Sequence, residues 1–71
     1  MKNKFALNIK ELRLLAGLKQ IDLAKILNTT QRKISYWEIG QIEPDLDTLW
    51  LIADFFNITI DELIGREFKI S

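Results

Sequence analysis

Five of the six side chains from Gln31 to Tyr36 end in hydrogen-bonding groups, and their types suit the reading of a nucleic-acid edge. A glutamine amide can pair bidentately with adenine and an arginine guanidinium with guanine, while a threonine such as Thr30 can touch phosphate or a thymine methyl. These are also ordinary surface residues, so their types alone do not separate a reading face from a solvated one. The distinction rests on whether the chain builds a frame that aims them together.

Catalysis has little to work with. There is no cysteine, which removes disulfides and thiolate metal sites, and no histidine, which removes the commonest metal ligand and general base. The close carboxylate pairs are Asp45 with Asp47 and Asp61 with Glu62, and both fall at helix starts, where acids complement the helix dipole. No nucleophile–base set or phosphate loop is present, so no enzyme, no metal and no cofactor is expected. No stretch reaches the roughly 18 apolar residues of a membrane span. Met1-Lys2-Asn3-Lys4-Phe5 lacks the apolar run of a signal peptide. A cytoplasmic protein is expected, with no membrane partner and no evident small-molecule ligand.

The frame is all-α. Gly17, Asn28, Gly40, Asn57 and Gly65 each follow an apolar-periodic stretch, and Gly and Asn accept the left-handed conformation past a helix end at least cost. These stops delimit five helices, at about 5–16, 20–27, 31–39, 46–56 and 60–64, with a tail over 66–71, in one domain spanning 1–71. The inward faces are Phe5, Ile9, Leu12 and Ala16; Leu23, Ala24 and Leu27; Ile34 and Trp37; Leu46, Leu49, Ile52, Ala53 and Phe56; and Ile60, Leu63 and Ile64. Thr30 and Asp45 are N-caps, and Thr59 with Glu62 forms a capping box.

From Gln20 to Gly40 the chain runs QIDLAKILNTTQRKISYWEIG: a short helix, a tight turn at Asn28-Thr29-Thr30, and a second helix at once. Ala24 lets the two helices pack closely. Turning Ile34 and Trp37 inward turns Gln31, Arg32, Ser35 and Tyr36 outward. A helix-turn-helix has this economy, and its second helix enters the major groove with its N-terminal residues toward base edges.

The order and spacing of IKELR at 9–13, GLKQIDLA at 17–24, TTQRKIS at 29–35, WEIG at 37–40, Pro44 and LDTLWLIADFFNITIDEL at 46–63 resemble the phage-repressor/Cro (XRE-like) helix-turn-helix family. The resemblance implies a compact five-helix lambda-repressor-like DNA-binding domain that regulates transcription, as a repressor. It implies that Gln20 bonds phosphate and buttresses the first side chain of the recognition helix, and that Thr30 meets the DNA backbone. It places Gln31, Arg32 and Tyr36 toward bases, with Lys33 and Ser35 nearer the groove edge and phosphates. It also implies an ion pair, Arg13 with Glu38, tying helix one to the end of helix three. Lys19 departs from the pattern by standing where a capping Ser, Thr or Asn is usual, so helix two is expected to fray while Lys19 contacts phosphate instead.

The formal net charge is zero, yet residues 1–42 carry eight basic and three acidic side chains, and residues 43–71 two and seven. Such a bipolar molecule can still present a basic face to phosphate. Leu14, Ile21, Ile39, Ile42, Trp50, Phe55, Phe68 and Ile70 remain as surplus apolar residues once the core is assigned. With the family habit of pairing on near-palindromic operators, they point to a homodimer through Ile64, Phe68 and Ile70. A different class stays open, a protein-interaction module such as an antitoxin or adaptor that uses the same fold for a partner protein.

Overall fold

The computed structural model describes residues 4–65. Within them lie α1 (Phe5–Leu15), α2 (Gln20–Ile26), α3 (Gln31–Glu38), α4 (Leu46–Phe56) and α5 (Ile60–Ile64). The first three end one residue earlier than the apolar pattern places them, because Ala16, Leu27 and Ile39 are their C-caps.

The helix ends share one mechanism. Gly17, Asn28, Gly40, Asn57 and Gly65 all sit at positive φ, between 55° and 77°. After four of them the next amide reaches back five residues: Leu18 N–H to the Arg13 carbonyl at 3.1 Å, Thr29 to Ala24 at 2.8 Å, Gln41 to Tyr36 at 2.9 Å and Ile58 to Ala53 at 3.0 Å. These Schellman closures satisfy carbonyls that the helix end would otherwise orphan.

The helix starts are capped by short polar side chains. Thr30 Oγ1 accepts from the Lys33 amide at 3.2 Å, and Asp45 Oδ1 from the Thr48 amide at 2.9 Å. Hydrogen bonding from Thr48 holds the Asp45 carboxyl below its ordinary range, and the charge of Lys33 adds to the effect. Thr59 and Glu62 satisfy each other's amides at 3.0 Å each. α2 begins at Gln20, and the start behind Lys19 is not wholly uncapped. The Asp22 carboxylate accepts the Lys19 amide N–H at 3.0 Å. Lysine has no acceptor to return, so this is half a capping box.

The core is Phe5, Ile9, Leu23, Ala24, Leu27, Ile34, Trp37, Ile52, Ala53 and Leu63. α3 packs on both α1 and α2, and α5 on α1 and α4. Trp37 meets Phe5 edge-on, with ring centroids 6.3 Å apart. Two residues assigned inward lie outside. Ala16 is exposed just past the end of α1. Leu46 is exposed because it is the first residue of α4, and the inward stripe begins only at Leu49.

Lys4, just before α1, is stapled to α5 where its amide donates to the Ile64 carbonyl at 2.7 Å. A Cβ on Gly65 would lie 2.8 Å from the Lys4 Cβ, whereas one on Gly17 would meet nothing within 4 Å. Both residues are left-handed, so alanine at either costs about 1 kcal/mol in backbone strain. The clash adds about as much again at Gly65. Urea denaturation should therefore rank Gly65→Ala as the less stable variant, and equal midpoints would show that Lys4 yields freely.

Candidate nucleic-acid interface

α3 decides the site, because its two anchors orient everything else on it. Ile34 and Trp37 are buried, which leaves Gln31, Arg32 and Lys33 exposed and Ser35 and Tyr36 half-buried. Gln20 opens α2 and is also half-buried. Gln20, Gln31, Arg32, Ser35 and Tyr36 together line one open concavity of about 360 Å³. Two helices thus bring five of the eight expected DNA-contacting residues to one surface. The other three, Lys19, Thr30 and Lys33, do not line it; they are exposed around the starts of α2 and α3. The Thr30 oxygen is used as a cap, but its O–H remains a free donor.

Behind the concavity runs a hydrogen-bonded chain. Arg13 is 8% exposed, and the side chain of its partner Glu38 is only 3% exposed. The Arg13 Nε donates to Glu38 Oε2 at 2.6 Å and its Nη2 to Glu38 Oε1 at 3.0 Å, a two-pronged charged pair. The bond to Glu38 raises the Arg13 pKa above its ordinary value despite the opposing pull of burial. The remaining prong, Nη1, donates to the Leu18 carbonyl at 2.9 Å.

Glu38 Oε1 also accepts from Gln20 Nε2 at 3.1 Å. A carboxylate only accepts, so it dictates which end of the Gln20 amide turns inward. The Gln20 carbonyl is left facing Gln31 Nε2 at 3.5 Å, a long contact at the edge of hydrogen-bonding distance. Gln31 then keeps its own carbonyl and one N–H, the acceptor and donor that the N6–H and N7 of adenine require. The Glu38–Gln20 bond was not anticipated from the sequence. The two residues are eighteen positions apart on different helices, and no periodicity joins them.

Among the described residues, no group of His, Cys, Asp or Glu is placed to hold a metal ion, and no helix is long and apolar enough to cross a membrane. Fold and surface together define a helix-turn-helix domain with one polar surface built from two helices.

A family model described as helix-turn-helix matches residues 9–63. The HTH-type transcriptional activator BcrR of Enterococcus faecalis is 38% identical over 64 residues, covering 90% of this chain and 31% of its own length. An uncharacterised HTH-type transcriptional regulator of Methanocaldococcus jannaschii is 38% identical over 67 residues, covering 94% of this chain and 96% of its own. The crystal structure of a transcriptional regulator from Listeria innocua superposes with a TM-score of 0.91 at 32% identity, over 100% of this chain and 66% of that one. The chain belongs to the helix-turn-helix family, in its XRE form. It spans about a third of the length of BcrR. All three relatives are named as regulators of transcription, not as enzymes.

Proposed function

We propose that the domain binds double-stranded DNA sequence-specifically and regulates transcription, with α3 in the major groove. The observation that carries this reading is the shared concavity of Gln20, Gln31, Arg32, Ser35 and Tyr36. In it, Gln31 and Arg32 read bases and Tyr36 adds an apolar or water-mediated contact. Gln20 and Thr30 hold phosphates through their spare N–H and O–H donors, Lys19 and Lys33 contribute charge, and Ser35 lies at the groove edge. Occupancy of an operator acts as repression. The protein works where the DNA is, in the cytoplasm.

Pairing is part of the reading. Two domains on a near-palindrome set their recognition helices about 34 Å apart, one turn of the duplex. Of the residues assigned to a homodimer, Ile64 is half-buried and packs on the core, so only its remaining surface is available. Phe68 and Ile70 lie outside the described residues.

Two substitutions test the assignment on DNA selected from a random pool. Arg32→Ala should cost about 1–3 kcal/mol and relax preference at one base pair. Lys33→Ala should weaken all sequences alike and reduce the salt slope by about 1. Equal losses on selected and random DNA for both variants would remove the basis for base reading by α3. The exposed apolar residues favour a second reading, a protein-interaction module of the same fold. The steepness of the salt response separates the two, since each phosphate contact releases a counterion and several together lose affinity far more steeply than a mainly apolar interface.

A further inference from the structure

α4 carries an outward face that neither the core nor the reading surface uses. Leu46, Trp50, Leu51 and Phe55 are 67%, 60%, 49% and 42% exposed. With about 100° between successive residues, these four occupy one half of the helix, and Asp47 and Asp54 fall on the line between them. Both aspartates are exposed. They are two turns apart, about 10 Å along the axis. No lysine or arginine occurs between Lys33 and Arg66, so α4 and α5 carry no positive side chain. A large exposed tryptophan among aliphatic and aromatic neighbours is the composition of a contact surface, and this one has an acidic midline.

We propose that this face docks a basic amphipathic helix of another protein. Two Lys or Arg residues of that helix, two turns apart, sit against Asp47 and Asp54, and its apolar residues cover Leu46, Trp50, Leu51 and Phe55. Charge selects this occupant over a second copy paired through the same face. If α4 paired antiparallel with itself about a twofold between residues 50 and 51, Leu46 would meet Phe55 and Trp50 would meet Leu51, but Asp47 would meet Asp54. A parallel pairing sets each aspartate against its own copy. Either way, carboxylate faces carboxylate in a desolvated seam, whereas a basic helix turns the same midline into attraction. The inference is independent of DNA reading and stands even if α3 reads nothing.

The test uses the ¹⁵N-labelled full chain and two synthetic amphipathic helices, one with Leu and Lys, the other with Leu and Glu in the same pattern. The Leu/Lys peptide should shift amides confined to residues 46–55. It should also move tryptophan emission to the blue, a change that reports Trp50 because Trp37 is already buried. Binding should weaken about tenfold in the Asp47→Asn/Asp54→Asn double variant, and about threefold or more between about 50 and 300 mM salt. Trp50→Ala should weaken it independently, with thermal melts checking that both variants stay folded. Equal binding of the Leu/Glu peptide, shifts centred on α3, or no loss in either variant overturns the proposal. So does sedimentation showing that the chain dimerises through this face and that Trp50→Ala abolishes the dimer.

Discussion

Glu38→Ala should lower the unfolding free energy by about 3–5 kcal/mol, because it leaves the buried Arg13 guanidinium without its charged partner. Small domains hold only about 5–15 kcal/mol in total, so this is about a fifth of the stability or more. The loss comes from the orphaned charge, not from the worth of the pair. Arg13→Met with Glu38→Leu should therefore recover most of it. Urea denaturation of the single and double variants measures both quantities, and a cost under about 1 kcal/mol for Glu38→Ala would mean the site hydrates easily. The same pair of variants separates stability from positioning. In the double variant the fold is restored, but Gln20 has lost its acceptor and Gln31 its fixed neighbour. Preference for adenine at the Gln31 position should then stay relaxed while the melt is normal.

Trp37→Ala should be of similar size, about 3–5 kcal/mol, for a different reason. Trp37 is 3% exposed and sits at the junction of α3 with α1. Truncation removes the largest side chain in the core and its edge-on contact with Phe5, in which the rings lie 67° apart. That contact alone is worth about 0.5–1.5 kcal/mol beyond its buried area. For a domain of this length each kcal/mol shifts Tm by about 4–8 °C, so the midpoint should fall by at least about 12 °C. Trp37→Phe keeps the ring and should fall much less. A drop under about 4 °C for the alanine variant would show that α3 is held by Ile34 without it. Either way, the effect on DNA binding should follow the fraction folded, since Trp37 faces away from the concavity.

The elements were legible because their signals are local. A left-handed stop at Asn57 needs only its own φ of 57° and an amide reaching five residues back. The caps at Thr30, Asp45 and Thr59 act over three residues. Such bonds close within one or two turns, so residue identity and spacing are enough to find them. Even here, competition between neighbours mattered. Lys19 read as a missing cap, yet Asp22, three residues on, supplies half of one.

The outward face of α3 was legible in the sequence, but the wiring behind it was not. Turning Ile34 and Trp37 inward was enough to point Gln31 and Arg32 outward, because one helix relates all four at a known angle. That Glu38 would hold Arg13 and Gln20 at once depends on the relative placement of three helices. The exposure of Leu46, at the very start of α4, shows likewise that a helix end can lie beyond the packed stripe that its period predicts. Short-range hydrogen bonds and helical period wrote five helices and their boundaries into the residue order. The packing of α3 against α1 and α2 decided which side chains meet, because contacts between helices are set by volume and crossing geometry that no single segment contains.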